Sequence, residues 1–497
     1  MRDPVNVVLI LSDQHNAEFA GCYGNPITRT PHIDGLAEQG VRFEAAYCLS
    51  PICSPTRASM ITGRYIHEIG IWDNVFAYSG QPNGWGHFFA ERGVHLATIG
   101  KLDFHPDSDH GIADARLASH RDKLDIHSLF REQEILPRHD LYRKHQETGP
   151  ADSTDAFAAD RAAADEAVRW LETGRPKDRP WILVVNFNDN HRPWNPPRDI
   201  WDHYDRQIRF ADLDERFTED RSRLHPYHRI YGRHHVGELM SPEDTRRALV
   251  GYHGSCEMLD RHVGQVLEAL EQTGLAEQTL LVYASDHGGT CGEHRNFDHG
   301  AMYEGSIRVP LVLAGPGVRE GHTEPTVVSA MDLFPTLCDA VGLERPHWTR
   351  GTSLMGLVQG EPGIRGPDFA LCEYHGAGFP ASVFAVRSGR DKYVECVGER
   401  PMFFDLEQDS HEMCDLAAER VDDPDVRARM DRLRRRLYAI CSPEAADARA
   451  KADQRARKRE MTESGRIFDE LWQRGYERRA DRLVPRAEVL SQDGITM

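Results

Sequence analysis

Five apolar runs of strand length, each broken off by a polar residue or a glycine, restrict this chain to a narrow set of folds. Residues 7–11 run into Ser12-Asp13-Gln14-His15, residues 96–100 into Lys101, and residues 181–187 into Asn188-Asp189-Asn190-His191. Residues 280–285 run into Asp286-His287 and residues 309–314 into Gly315. The runs are apolar on both faces, and helical stretches at 160–171 and 241–273 lie between them. That pattern predicts a mostly parallel sheet inside a three-layer α/β/α sandwich. Sheets of this kind collect their ligands at the carboxyl ends of the strands. Asp13, Asp286 and His287 are therefore expected at one edge, where two carboxylates and an imidazole suit a divalent cation.

With 497 residues the chain has length for a large domain and a smaller one. From about residue 368 the pattern changes to short alternating runs at 384–387, 392–396 and 402–406, followed by a helix over 424–440. The expected division is a catalytic α/β domain over 1–367, a small antiparallel sheet with a helix over 368–443, and a charged helical tail over 444–497. The tail is expected to pack across the domain or onto a second subunit, the latter giving a homodimer or homotetramer. Residues 192–237, rich in Arg, His and Asp with little periodicity, read as a long loop or lid that carries specificity.

The net charge of −19 argues against nucleic acid or an anionic membrane as the main partner. An anionic substrate then requires a local cluster of positive groups. No run approaches membrane-spanning length, and residues 7–11 are too short and poorly flanked for a signal peptide. Ten cysteines scattered without framework spacing fit a reducing compartment, so the expected location is cytoplasmic.

The most chemically loaded stretch is Ser50-Pro51-Ile52-Cys53-Ser54-Pro55-Thr56-Arg57-Ala58-Ser59. A cysteine at a proline turn ahead of a helix meets unpaired N–H donors and the fixed charge of Arg57. Such a position favours a low-pKa reactive group or a bound anion. In chain order, several motifs together resemble the type I sulfatase family of the alkaline phosphatase superfamily. They are Ser12-Asp13-Gln14, Cys53-Ser54-Pro55-Thr56-Arg57 with Thr62-Gly63-Arg64, Gly100-Lys101 and His191-Arg192-Pro193. They continue with Ser285-Asp286-His287-Gly288, Met302-Tyr303-Glu304-Gly305-Ser306-Ile307-Arg308-Val309-Pro310 and Phe404-Asp405-Leu406-Glu407-Gln408-Asp409. The resemblance spans most of residues 5–420. Gly100-Lys101-Leu102-Asp103-Phe104, Glu293-His294-Arg295-Asn296-Phe297 and Glu373-Tyr374-His375-Gly376 are similar to the arylsulfatase K, or glucuronate-2-sulfatase, type.

The resemblance implies an alkaline-phosphatase-like fold and sulfate monoester hydrolysis, with an aryl sulfate or a sulfated sugar or uronate as substrate. It implies that a formylglycine-generating or other maturating enzyme converts Cys53 to formylglycine (3-oxoalanine), whose hydrate attacks sulfur. Asp13, Asp286, His287 and position 53 would hold one divalent ion, Ca²⁺ first and Mn²⁺ as the alternative. Arg57 would hold the diol, while Lys101 and His191 would contact sulfate and bridging oxygens. Three positions depart from the family pattern. Gln14 replaces a carboxylate and would ligate through its amide oxygen or turn toward substrate. Asp103 stands where a histidine is usual, leaving His105 or Asp103 itself for that role. His299 replaces a lysine and would donate to the leaving group with a charge that depends on pH, giving an acidic optimum. Asn74 falls where relatives face the substrate, or is a turn asparagine. A phosphonate monoester or phosphodiester hydrolase on the same nucleophile is the alternative reading, and a binding protein without turnover the third.

Overall fold

The computed structural model describes residues 5–121, 124–132, 137–473, 476–479 and 482–485. Its main sheet contains β1 (Asn6–Ser12), β2 (Gly40–Phe43), β3 (His95–Lys101), β4 (Asp114–Ser119), β5 (Trp181–Phe187), β6 (Thr279–Ser285), β7 (Leu311–Ala314) and β8 (His322–Glu324). Their order across the sheet is β8-β2-β7-β6-β1-β5-β3-β4. Every neighbouring pair is parallel except those made by β7, which runs antiparallel to β6 and β2. The reversal follows from the path of the chain. After β6 it builds residues 286–310 at the carboxyl edge, then re-enters the sheet from that edge.

The helices used below are α1 (Pro31–Glu38), α2 (Cys53–Thr62), α3 (Ala158–Arg169), α4 (Arg198–Asp205), α5 (Pro226–His234), α6 (Pro242–Gln272), α7 (Pro424–Ile440), α8 (Pro443–Glu463) and α9 (Arg466–Gln473). Strand parity decides what each face of the sheet meets. Val8, Ile10, Leu183 and Val185 pack on α1, α3 and α6 through Ile33, Leu36, Ala163, Ala167, Leu259 and Val263. Val7, Leu9, Leu11 and Val184 belong instead to the core that contains Ala58, Met60 and Ile61 of α2. Each such side chain, fully buried, contributes about 1.5–3 kcal/mol. Central β1 is thus covered on both faces, as its unbroken apolar run requires.

Register fixes the height of the site. Ser12 lies opposite both Phe187 and Ser285, so Asp13, Asn188 and Asp286 leave the sheet at one level. β2 ends at Phe43, and Ala46–Tyr47 pairs separately with Val328–Ser329. Residues 192–237 are not an irregular loop. They carry α4, which buries Ile200, Trp201 and Tyr204, and α5, which buries Tyr227, His228 and Tyr231. These helices run only eight and nine residues, so each shows its apolar spacing over barely two turns.

The C-terminal part is an antiparallel meander of β9 (Ala370–Tyr374), β10 (Val383–Ser388), β11 (Asp391–Cys396) and β12 (Met402–Asp405). Helix α7 packs on it through Val426, Leu433 and Leu437. Helix α8 then returns to the main body. Gln454 Nε2 donates to Asp73 Oδ2 at 2.6 Å and to the His375 carbonyl at 2.8 Å, and Asp447 accepts from Arg131 at 2.7 Å. The end of the expected tail, 486–497, lies outside the described residues.

Candidate active site

Cys53 is the first residue of α2, and all ten residues of that helix are buried. Its Sγ lies 3.3 Å from His287 Nε2 and 3.6 Å from Lys101 Nζ. Burial, reinforced by Asp13, pushes the thiol well above its ordinary pKa despite the nearby lysine. The low-pKa thiolate that the turn alone suggested is therefore disfavoured, because burial, with Asp13, Asp103 and Asp286 nearby, outweighs the charge of Lys101. The Ser54 N–H donates to Asn74 Oδ1 at 3.0 Å. Asn74 thus satisfies one orphan donor of the first helical turn and holds the turn that carries Cys53.

Arg57 and Lys101 are positioned by β3 and β5. Arg57 Nε donates to Asp286 Oδ2 at 2.8 Å, and Nη1 reaches the Lys101 carbonyl at 2.8 Å and Asn186 Oδ1 at 3.1 Å. Lys101 Nζ donates to Asp13 Oδ2 at 2.5 Å and to Asn188 Oδ1 at 3.2 Å. The turn before Lys101 needs glycine. Gly100 has φ +88°, and a Cβ there would sit 2.2 Å from the Asn186 carbonyl oxygen. Asn186 and Asn188 escaped the sequence reading because only register brings them opposite β3.

The charge balance is that of a cation site. Burial works to raise the Asp13 carboxyl, but Lys101, His287, His191 and Arg57 together hold it well below its usual value. Asp286 is pushed up by burial and then by Asp13 beside it. His287 Nδ1 lies 2.8 Å from the Gly288 carbonyl. A carbonyl only accepts, so Nδ1 carries the proton and Nε2 offers a lone pair. Ligand atoms of Asp13, Cys53, Asp286 and His287 all lie within 4.8 Å of one another. Among the described residues, Asp13 Oδ1 and both amide atoms of Gln14 are buried without a hydrogen-bond partner. Orphaned oxygens beside two carboxylates and an imidazole fit a divalent ion, with Gln14 Oε1 available as a further oxygen.

Two family comparisons bear on this constellation. Residues 5–343 match the sulfatase family, and residues 292–441 match the N-sulphoglucosamine sulphohydrolase C-terminal family. The chain belongs to the sulfatase family. It is 30% identical over 427 residues to a choline-sulfatase of Rhizobium meliloti, covering 83% of this chain and 82% of that one. It is 28% identical over 438 residues to arylsulfatase K of Bos taurus, covering 84% and 79%. The phosphonate monoester hydrolase of Agrobacterium radiobacter shares the fold at a TM-score of 0.69 and 23% identity, over 88% of this chain and 95% of that one. As a sulfatase, the protein is a sulfuric ester hydrolase.

The departures of this sulfatase from its family pattern have definite surroundings. Asp103 is ion-paired with Arg121, and the Arg121 Nε donates to Ser54 Oγ at 3.2 Å. Burial would raise Asp103, but Arg121, Lys101 and Arg57 hold it below its ordinary value. It is thus an anion locked to an arginine rather than a proton acceptor. His105 is exposed, and its Nδ1 accepts from the Asp107 N–H at 3.2 Å. It is not among the groups gathered at Cys53. His191 Nδ1 lies 3.1 Å from the Arg192 carbonyl, and burial, then Arg192, takes its pKa down to about 3. His299 packs edge-on against His287 at 4.9 Å between centroids. Burial, followed by His287 and Arg192, lowers it well below its ordinary value. That direction favours the neutral form of the imidazole. Arg121 was missed because its partner Asp103 is eighteen residues away in sequence.

Proposed function

We propose that this sulfatase hydrolyses sulfate monoesters at position 53 after Cys53 is converted to formylglycine, with a divalent ion held by Asp13, Asp286, His287 and position 53. Gln14 lies beside them as a further oxygen donor. The observation that carries this reading is the placement of Cys53 Sγ at the meeting point of His287 Nε2 and Lys101 Nζ. When present, a hydrated formylglycine supplies a hydroxyl nucleophile and the ion supplies Lewis acidity, with Ca²⁺ preferred and Mn²⁺ the alternative.

The rest of the chemistry falls to the chain's own side chains. Lys101 and Arg57 provide the positive charge that a sulfate dianion-like transition state needs inside a chain of net charge −19. Neutral His191 is proton-bearing at Nδ1, which leaves Nε2 as a lone pair that accepts a proton or hydrogen bond and has none to give the bridging oxygen. The His299 ring lies 6.2 Å from that of His191 between centroids, and its Nδ1 has no partner among the described residues. Similarity to arylsulfatase K supports a sulfated sugar or uronate as the natural ester.

The direct test is mass spectrometry of the peptide containing Cys53, from cells that possess a maturating enzyme. The aldehyde in place of the thiol is expected, and a thiol throughout in active protein would refute the assignment. A panel of aryl sulfate, phenylphosphonate and phosphodiester ranks the competing activity. Greater kcat/KM on the phosphonate than on the sulfate would replace the proposed reaction with the phosphonate one.

A further inference from the structure

Around the turn that follows β5, three buried titratable side chains take no part in the chemistry described so far. Asp160 stands in the first turn of α3, Asp189 in the turn itself and His262 on α6. His262 Nδ1 lies 2.6 Å from Asp189 Oδ2. The Asp160 and Asp189 carboxyls lie within hydrogen-bonding reach of each other, and Asp160 Oδ2 also accepts from the Asn188 N–H. From there the contacts run into the active site. Asn188 Oδ1 accepts from Lys101 Nζ at 3.2 Å, and the Asn188 carbonyl accepts from the His191 N–H at 2.9 Å.

Packing gives no reason for such a cluster. Helices α3 and α6 and strand β5 otherwise meet through apolar side chains such as Ala163, Val263 and Val185. Buried ionisable groups are costly, and apolar groups of similar volume in their place are often neutral or stabilising. Two carboxyls side by side bond to each other only when one carries a proton. Burial raises both, Asp189 to about 7; Asp189 raises Asp160 further, whereas Asp160 acts to lower Asp189. The shared proton thus sits on Asp160. Every polar group in the relay then has a partner: Asp160 accepts from Asn188 and donates to Asp189, and Asp189 accepts from His262 as well.

We propose that Asp160, Asp189 and His262 are positioning residues for the sulfatase reaction, bracing the 188–191 turn so that Asn188 holds the Lys101 ammonium at Cys53. The proposal rests on the reading that position 53 carries the nucleophile and Lys101 its electrostatic partner. None of the three touches Cys53 or Lys101, and each acts through Asn188.

The experiment measures kcat and KM for 4-nitrocatechol sulfate on the matured full-length enzyme, with Tm and metal content taken on the same preparations. Asp160→Ala and His262→Ala should each lower kcat about tenfold, a modest case of the loss that follows misplacement of a reacting group. KM should stay within about twofold, because Lys101 is aimed at charge that develops in the transition state. Asp160→Asn keeps an acceptor for Asn188 and a donor for Asp189, and should recover most of the kcat lost in Asp160→Ala. Asn188→Ala removes the Lys101 contact itself, so the double variant Asp160→Ala/Asn188→Ala should fall within about twofold of the larger single loss. A relay that only stabilises the fold would lower Tm with kcat unchanged, or give single losses that multiply in the double variant. Either result overturns the proposal. Where Asp160→Ala fails to fold, the same cycle run with His262→Ala decides the matter. Wild-type enzyme that turns over no sulfate ester would instead overturn the reading of position 53 on which the proposal rests.

Discussion

At Lys101 one ammonium serves Asp13, Asn188 and the sulfur of Cys53. Lys101→Ala should lower kcat/KM roughly 10²–10³-fold, the usual loss when a donor aimed at developing charge is removed. Metal content measured by elemental analysis should not change, because the ligand atoms of Asp13, Asp286 and His287 remain. A second residue-scale prediction concerns Glu373, which binds His67 Nδ1 at 2.9 Å and His375 Nε2 at 3.2 Å. Burial works to raise this carboxyl, but His67 and His375 take it from 4.5 down to about 2. A depressed carboxyl stabilises the fold above its unfolded pKa, and that stabilisation is lost as pH falls through the folded one. Wild type should therefore lose at most about 3 kcal/mol relative to Glu373→Gln between about pH 4.5 and 2, read from urea midpoints. Asp13, Cys53, Asp286 and His287 were legible in the sequence because each closes a strand or sits in a dense motif. Asn186, Asn188 and Arg121 were not, since their roles exist only once β3, β5 and the residues around Asp103 are in register.

Whole elements divide in the same way. The long helix α6 was readable to its caps, because Ser241 and Asp244 form a capping box and Pro242 sits at the first helical position. Helices α4 and α5 were unreadable at short length, and β7 was readable as a strand but not in direction. Direction is set by where the chain re-enters the sheet, and no residue within 311–314 encodes it. At the end of β3, geometry makes a sharp demand on one position. Gly100→Ala places a methyl against the Asn186 carbonyl and a side chain at φ +88°. We expect a loss of roughly 1–3 kcal/mol in stability, together with a fall in kcat as Lys101 and the Arg57 contact to its carbonyl shift. Thermal melts and steady-state kinetics on the same preparation check both. A variant with normal kcat would mean that the turn does not position Lys101.

For the molecule as a whole, the crowding of Asp13 against Asp286 means that a bound divalent ion stabilises the folded state over the unfolded one by mass action. Melting temperature should rise by several degrees when Ca²⁺ or Mn²⁺ is added to chelator-treated protein. The rise should vanish in Asp13→Asn, and an equal rise in that variant would place the ion elsewhere. Among the described residues, no helix is long and apolar enough to cross a membrane. The ten-residue helix that begins at Cys53 is buried from end to end, which has a consequence for biosynthesis. A maturating enzyme that must grasp the cysteine meets a sealed surface once the chain has folded. On the proposed conversion of Cys53, modification and folding would be rivals in time, and the brief life of the nascent, open polypeptide would set what fraction of molecules becomes competent.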